Sequence, residues 1–210
     1  MKQTLADALS QRGYDKLTPV QEAVTDPDLE GKDLLVSAQT GSGKTVGFGL
    51  ALGNTLLDGE RFEQAGPPLA LIIAPTRELA MQVKRELAWL YGPAGAVMAS
   101  CVGGMDMRDE RRALARGAHI VVATPGRLRD HIMRNVIDLS NIRGVVLDEA
   151  DEMLDLGFRE DLEYILGACP EERRTLMFSA TVPKSIAGLA KSYQRDAQRV
   201  TTVADASQHT

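Results

Sequence analysis

An apolar run that leads into a glycine-rich turn is the feature that most constrains the fold of this chain. Residues 34–36 are Leu-Leu-Val, and residues 38–45 read Ala-Gln-Thr-Gly-Ser-Gly-Lys-Thr. Glycines let the backbone bend tightly and point its N–H groups at an anion, and a following helix adds the positive end of its dipole. The pattern therefore predicts a strand, a loop that binds a nucleoside triphosphate, and a helix. The predicted binding residues are Ala38, Gln39, Thr40, Gly41, Ser42, Gly43, Lys44 and Thr45.

The last two residues of this loop carry its chemistry. Lys44 supplies a cation for the β- and γ-phosphates, and the Thr45 hydroxyl is a ligand for Mg²⁺. Ala38 stands where the usual pattern has its first glycine, so the backbone φ at Ala38 must stay negative. The alternative interpretation is a glycine-rich turn with an ordinary surface lysine. The preceding strand and the lysine–threonine pair favour the phosphate loop.

Composition limits the class of protein. With 210 residues and 44% apolar residues the chain can bury a sizeable core, and because only 4% are aromatic, aliphatic residues must build it. No apolar run is long enough to span a bilayer, and the N-terminus lacks the layout of a secretory signal. Cys101 and Cys169 show no metal-ligand spacing, so we expect reduced thiols in a cytoplasmic protein. The histidines (His119, His131, His209) form no visible cluster, which argues against a zinc site.

Apolar, strand-like runs alternate with helix-like stretches. Runs such as 69–74 and 120–123 are apolar throughout, which is typical of parallel strands covered on both faces. The pattern predicts an α/β fold over residues 1–203, a mostly parallel β-sheet with helices on both faces, and a linker or tail over 204–210. The predicted strands are 33–37, 69–74, 96–102, 119–123, 143–147, 174–179 and 197–203. The predicted helices are 3–12, 19–25, 44–57, 76–91, 105–116, 126–134, 149–155, 159–167 and 183–193.

A second acidic motif completes the predicted nucleotide site. The apolar residues 145–147 lead into Asp148-Glu149-Ala150-Asp151. Ligands of such folds bind at the carboxyl ends of the strands, where this motif begins. Asp148 is predicted to hold Mg²⁺ through a water ligand, and Glu149 to orient or deprotonate the water that attacks the γ-phosphate. The alternative is an acidic first turn of a helix, which the helix dipole also favours.

A local concentration of arginines contrasts with the net charge of −5. Arg108, Arg112 and Arg116 are spaced one helical turn apart, and Arg111 lies beside them, so a helix there carries a basic stripe. Binding to nucleic acid requires a local cationic surface rather than a basic protein. The equally good alternative is a solvated helix face on which the arginines pair with Asp109 and Glu110.

Taken in order, the motifs resemble those of the DEAD-box ATP-dependent RNA helicases. The Asp-Glu-Ala-Asp run follows a Walker-type loop at the expected distance, and the resemblance extends from about residue 13 to residue 200. It implies a RecA-like P-loop NTPase fold, with ATP and Mg²⁺ as cofactors. The other matching segments are 13–21 (the Q motif), 75–80 (motif Ia), 103–104 (the GG motif), 124–127 (motif Ib) and 179–181 (motif III).

The resemblance also implies individual roles. Gln21 is expected to read adenine through its amide, and Lys16 to lie in the adenine-contacting stretch. Ser179 and Thr181 are expected to couple the γ-phosphate site to RNA by bonding the segment that ends at Asp151. Lys44, Asp148 and Glu149 are the expected catalytic residues. The expected RNA-backbone contacts, without base specificity, are Pro75, Thr76, Arg77, Gly103, Gly104, Thr124, Pro125, Gly126 and Arg127.

Simpler structural roles remain open for several of these residues. Gln21 could be an exposed helix residue after Pro19, and Thr76 and Thr124 could serve as N-caps. Ser179 and Thr181 could belong to an ordinary strand-end turn. For the two threonines both roles can coexist, because a capping side chain leaves other backbone N–H groups free.

Two departures from the family pattern affect what we expect of this chain. The family has an aromatic residue upstream of the Q motif that stacks on adenine, and this sequence does not include it; Tyr14 matches a residue used for packing. The family's second RecA-like domain, with its arginine finger, is not matched either. We therefore expect an isolated, monomeric N-terminal domain of an RNA helicase that binds nucleotide and hydrolyses it weakly. The alternatives are a nucleotide-switched RNA clamp or scaffold, and another P-loop enzyme such as a DNA helicase.

Overall fold

The computed structural model describes residues 1–202, so the predicted tail over 204–210 lies outside the described residues. Within this part, seven parallel strands form one sheet in the order β3-β4-β2-β5-β6-β1-β7. All seven predicted strands are present. Their bounds are β1 Leu34–Ser37, β2 Ala70–Ile73, β3 Met98–Cys101, β4 Ile120–Ala123, β5 Gly144–Leu147, β6 Arg174–Ser179 and β7 Gln198–Thr201.

The helices connect these strands and agree with the prediction at all but two places. The predicted helix 44–57 is two helices, since α3 ends at Ala51 and α4 begins at Gly53, a residue type with low helix propensity. A 3₁₀ turn at Pro27–Leu29 had no counterpart in the prediction. The helices are α1 Gln3–Gln11, α2 Pro19–Val24, α3 Lys44–Ala51, α4 Gly53–Leu56, α5 Arg77–Tyr91, α6 Met107–Arg116, α7 Pro125–Met133, α8 Ala150–Asp155, α9 Arg159–Ala168 and α10 Lys184–Tyr193.

The 3₁₀ turn is held by a long-range contact that no local pattern reveals. Arg174, the first residue of β6, is buried, and its guanidinium donates hydrogen bonds to the carbonyl oxygens of Leu29, Lys32 and Ala51. A buried guanidinium is stable only when its donors are satisfied. Arg174 therefore joins the start of β6 to the turn before β1 and to the end of α3.

Alternate residues of each strand enter two separate apolar cores. On β1, Leu34 and Val36 face a core formed with α1, α2, α3 and α5, whereas Leu35 faces the opposite core, which includes residues of α7, α8, α9 and α10. This alternation is the period of two expected of a strand. Because both faces are covered, every residue of the central strands β2, β4 and β5 is buried, as their continuous apolar runs predicted.

The strand order divides the carboxyl edge of the sheet into two halves. β1, β6 and β5 lead into the phosphate loop, motif III and the acidic motif, whereas β2, β4 and β3 lead into motifs Ia, Ib and GG. β2 and β5 are neighbours at the boundary. The sheet therefore places the predicted nucleotide residues side by side and the predicted RNA residues next to them.

Candidate functional site

The loop between β1 and α3 has the backbone conformation that the glycines predicted. Gly41 and Gly43 have φ values of 85° and 79°, which residues with a Cβ rarely adopt. A Cβ on Gly43 would lie 2.6 Å from Gln21 Nε2, so this glycine is also required by space. Ala38 does not have a positive φ, as predicted, and its N–H donates to Ser179 O at 3.1 Å. The loop is therefore anchored to β6 at its start.

The lysine of this loop meets the acidic motif directly. Lys44 Nζ lies 2.9 Å from Asp148 Oδ1 and 3.3 Å from Glu149 Oε1. Thr40 Oγ1 donates a second bond to Glu149 Oε1 at 3.0 Å. The side chain of Lys44 is 10% exposed, that of Asp148 6% and that of Glu149 14%, so little solvent screens their interaction. Two segments that are distant in sequence thus form one charged cluster at the carboxyl ends of β1 and β5.

The two carboxylates of the cluster have opposite pKa shifts. Burial raises the pKa of Asp148 above its ordinary value, although the Lys44 ammonium opposes this shift. Burial would also raise the pKa of Glu149, but the charge of Lys44 and the hydrogen bond from Thr40 outweigh it, and the net pKa is lowered. Glu149 is therefore ionised at neutral pH and can accept a proton or a hydrogen bond from water.

Glu149 also has an unusual backbone. Its φ and ψ are 54° and 51°, in the left-handed region, at the N-cap of α8. This conformation costs about 1 kcal/mol or more for a residue with a side chain, and such strain is concentrated at functional sites. It turns the chain sharply after β5, so that Asp148 and Glu149 both reach Lys44. Sequence patterns alone did not indicate this strain.

Gln21, the glutamine of the Q motif, supports the phosphate loop from inside the fold. Gln21 is fully buried, accepts from Thr18 N at 3.0 Å and donates to Gly43 O at 3.0 Å. Thr18 accepts in return from Gln21 N, which completes a capping box. The alternative of an exposed helix residue is therefore wrong. Adenine recognition by Gln21 stays a prediction, as does the role of Lys16, which is exposed.

Motif III contacts the acidic motif through one carboxylate oxygen. Asp151 Oδ2 accepts from both the backbone N and the Oγ1 of Thr181, each at 3.0 Å. Ser179 Oγ donates to the carbonyl oxygen of Thr181 and so fixes that turn. Burial would raise the pKa of Asp151, but the bonds from Thr181 lower it overall. The predicted contact between residues 179–181 and the acidic motif is therefore present in the geometry, and its coupling function stays a prediction.

The segments predicted to contact RNA converge around the GG loop. Gly104 has φ 84°, and a Cβ there would lie 2.9 Å from Arg77 Nη1. Arg127 Nη1 donates to Met105 O at 3.0 Å, and Thr124 Oγ1 accepts from Gly103 N at 3.4 Å. Motifs Ia, GG and Ib thus form one surface, on which Gly103, Gly104 and Gly126 are exposed and Pro75 and Pro125 are buried.

The two threonines of this surface differ in their local roles. Thr76 accepts from Leu79 N at 3.2 Å and caps α5, as the simpler interpretation predicted. Thr124 occupies the N-cap position of α7 but makes no side-chain cap bond. Its hydroxyl faces Gly103 instead, so that Thr124 joins motif Ib to the GG loop.

A buried glutamate that the sequence did not single out organises this surface. Glu110, on the inner face of α6, is 5% exposed. It accepts from Val102 N at 2.8 Å, Arg127 Nη1 at 2.9 Å and His131 Nε2 at 2.8 Å. Burial would raise its pKa, but the bonds from His131, Val102 and Arg127 lower it overall. Glu110 therefore holds the start of the GG loop and Arg127 in fixed positions.

The histidine of this cluster was expected to stand alone. Potential donor atoms of Cys101, Glu110 and His131 lie within 4.8 Å of one another. The Arg127 guanidinium contacts the same glutamate, and a cation beside a carboxylate disfavours a metal there. Burial raises the pKa of Cys101 to about 12, so its thiol is protonated at neutral pH. We interpret the cluster as a hydrogen-bonded support beneath the GG loop.

Comparison with known proteins decides the family. The model of the DEAD/DEAH box helicase family matches residues 18–189, a segment that contains the phosphate loop, the acidic motif and the GG surface.

The chain belongs to the DEAD/DEAH box helicase family.

Similar proteins cover this chain almost completely. It is 41% identical over 206 residues to DEAD-box ATP-dependent RNA helicase 53 of Oryza sativa subsp. japonica. The aligned segment covers 97% of this chain and 34% of the relative. It is 42% identical over 197 residues to DEAD-box ATP-dependent RNA helicase CshA of Bacillus subtilis (strain 168), covering 93% of this chain and 39% of the relative. The chain thus spans between a third and two fifths of these relatives.

A solved structure confirms the fold. The crystal structure of a DEAD box protein from the hyperthermophile Methanococcus jannaschii superposes with a TM-score of 0.86 at 38% identity, over 97% of this chain and 54% of that one. The α/β fold predicted from the alternating runs is therefore confirmed, and so is the RecA-like fold that the family resemblance implied. Tyr14 stacks against Trp89 with ring centroids 5.5 Å apart, as its predicted packing role requires. Within residues 1–202, no helix is both long enough and apolar enough to cross a bilayer.

Proposed function

We propose that this chain is the ATP-binding domain of an ATP-dependent RNA helicase, an RNA-stimulated ATPase that separates short RNA duplexes. The contact of Lys44 with both Asp148 and Glu149 carries this proposal, because it joins a phosphate-binding lysine, a metal-binding carboxylate and an ionised base in one cluster. Names of the similar proteins support the same class of activity.

The residues of the loop fit Mg²⁺ and ATP. Backbone N–H groups around Gly41 and Gly43, together with Lys44, provide donors for phosphate oxygens. Ser42 Oγ is buried and, among residues 1–202, has no hydrogen-bond partner, which suits a group that awaits a ligand. Thr45 and Asp148 supply oxygen ligands of the kind that Mg²⁺ prefers, Asp148 through water. The bound nucleotide and metal would supply the phosphoryl group and the charge that stabilises its transfer.

Each residue of the cluster then has one task. Lys44 holds phosphate oxygens and balances negative charge, and Asp148 positions the metal. Glu149 orients the attacking water and accepts its proton, for which its lowered pKa keeps it ionised. Outside the cluster, Gln21 reads adenine through its amide and also fixes Gly43 from inside the fold, and Lys16 lies in the adenine-contacting stretch. Thr40 holds the Glu149 carboxylate in place.

RNA binds on the neighbouring half of the same edge, through its backbone. Arg77, Arg127 and the backbone of the exposed residues Gly103, Gly104 and Gly126 are the contacting groups, with Thr76 and Thr124 at the helix starts. Asp151 and Thr181 link motif III to the nucleotide cluster and transmit its state. In the full-length protein a second RecA-like domain closes over both halves, and its arginine raises the hydrolysis rate by about 10³ or more. The domain alone therefore hydrolyses ATP weakly. We place it in the cytoplasm as a monomer.

RNA-stimulated ATPase and strand-separation assays on the full-length protein test this proposal. We expect Lys44→Ala to abolish nucleotide binding and Glu149→Gln to keep binding but stop turnover, whereas Glu160→Gln, an exposed carboxylate on α9, keeps both. Normal turnover by Glu149→Gln would contradict the assigned role. ATP-dependent retention of RNA without hydrolysis by the native protein would show a clamp or scaffold instead. Activity on DNA without dependence on the 2′-hydroxyl would show a DNA helicase or translocase.

A further inference from the structure

The outer face of α6 is a basic surface that the proposed function does not use. Arg108, Arg111, Arg112 and Arg116 are all exposed, whereas the inner face of α6 packs on β3 and contributes the buried Glu110. At 100° per residue these arginines lie on the side of the helix opposite Glu110. We call these four side chains the α6 arginine surface.

These arginines are largely free of protein partners. In the part of the chain that the structure describes, their single ion pair joins Arg112 to Asp109 at 3.6 Å, with both side chains 69% exposed. The expected pairing with Glu110 is absent, because Glu110 points inward and binds Arg127, Val102 and His131. An ion pair this exposed and this long contributes little. Of the solvated, internally paired face considered from the sequence, the structure contains the exposure and one weak pair with Asp109, but not the pairing with Glu110.

The position of α6 adds a second argument. Its first residue follows the GG loop within a few positions, so Arg108 lies beside the predicted RNA surface, and Arg116 lies about 12 Å further along the helix axis. Arg108, Arg111 and Arg112 line a shallow concavity together with Ala115. The surface is thus continuous with the predicted RNA site and long enough to meet several backbone phosphates.

We propose that the α6 arginine surface binds the phosphate backbone of RNA that continues beyond the segment held by motifs Ia, GG and Ib. This inference rests on the proposed RNA-binding function. Arginine suits the role because its guanidinium forms paired hydrogen bonds with phosphate oxygens. The contact reads no bases, so it lengthens the RNA footprint without adding sequence specificity.

RNA titrations at several salt concentrations test the proposal on this 210-residue chain. The test variant carries Arg108→Gln, Arg111→Gln and Arg112→Gln; the matched control carries Arg12→Gln, Arg85→Gln and Arg199→Gln, which removes equal charge from exposed positions elsewhere. For a single-stranded RNA of about 25 nucleotides, the test variant should bind about 10- to 100-fold more weakly at 0.1 M salt, with a salt slope smaller by about 2. For an RNA of about 6 nucleotides, it should match the native chain.

The outcomes separate this proposal from the one on which it rests. If the native chain binds neither RNA, or if Arg127→Ala leaves RNA binding intact, the proposed RNA site itself fails. If the native chain binds both RNAs and Arg127→Ala weakens both, but the α6 variant binds the long RNA as the native chain does, the α6 surface alone is refuted. If the α6 variant loses binding to polyglutamate that the native chain shows, but binds RNA as the native chain does, the proposal is also overturned. The α6 arginine surface would then bind an acidic polypeptide instead of RNA. Circular dichroism confirms that each variant is folded.

Discussion

Removal of the Glu110 carboxylate tests how the proposed RNA surface is built. Glu110→Ala leaves the buried Val102 N–H without an acceptor, which costs about 1–3 kcal/mol, and leaves Arg127, only 14% exposed, without its anion. Breaking a buried ion pair by removing one partner costs about 3–5 kcal/mol in all. We expect a loss of that size in urea unfolding, from a total of order 10 kcal/mol. Glu110→Gln keeps the shape and one acceptor, and should lose about 1–3 kcal/mol.

The same variants should separate the two halves of the site. Glu110→Gln removes the charge that anchors Arg127 beside the GG loop, so RNA affinity should fall about tenfold or more, which corresponds to the free energy of one hydrogen bond to a charged group. Nucleotide affinity should not change, because Lys44, Asp148 and Glu149 lie on the other half of the edge. Glu160→Gln, which changes an exposed carboxylate on α9, is the control and should match the native chain in both assays.

Acid titration of stability gives an independent check on Glu110. Because its folded-state pKa is lowered, its contribution is fully present above the unfolded glutamate pKa of about 4.3 and is lost as the pH falls through the lower folded value. Glu110→Gln should remove this part of the acid dependence. A loss below about 1 kcal/mol in Glu110→Ala, or equal losses of RNA and nucleotide affinity, would refute the anchoring argument.

Three further predictions concern the nucleotide half and the core. Asp148→Asn should raise the free energy of unfolding of the nucleotide-free chain, since burial disfavours this carboxylate and raises its pKa, while abolishing Mg²⁺-dependent ATP binding. Urea unfolding and ATP titration measure the two effects. Thr181→Val removes one of two bonds to Asp151 and should reduce RNA stimulation of the full-length ATPase about tenfold, with unstimulated turnover unchanged. Gly49→Ala would place a Cβ 2.6 Å from Leu90 Cδ2 and should cost about 1–3 kcal/mol in urea unfolding.

The strands and the nucleotide cluster could be predicted because their signals are local and strong. A strand covered on both faces must be apolar throughout, so runs such as 120–123 are recognisable without any tertiary information. The lysine of the loop and the acids after β5 are recognisable for a similar reason, since each follows an apolar run. Because parallel strands end at a common edge of the sheet, these residues could be predicted to lie close together.

What could not be predicted depends on partners that are distant in sequence. Glu110 lies between exposed arginines and looks like one more surface charge; only the packing of α6 on β3 turns it towards Arg127 and His131. The 3₁₀ turn before β1 likewise depends on Arg174, which begins a strand much later in the chain. The left-handed backbone of Glu149 has no sequence signal at all, because glycine is the residue normally expected there.

The continuous sheet has a mechanical consequence. Hydrogen bonds run without interruption from β3 to β7, so the strands that lead into the two halves of the edge belong to one stiff sheet. A stiff sheet resists changes in the spacing between the two halves, so we expect communication between them to involve the loops at the carboxyl ends of the strands. The two halves meet where β2 pairs with β5, and there Asp148 N donates to Ile73 O at 2.8 Å, two residues before the start of motif Ia.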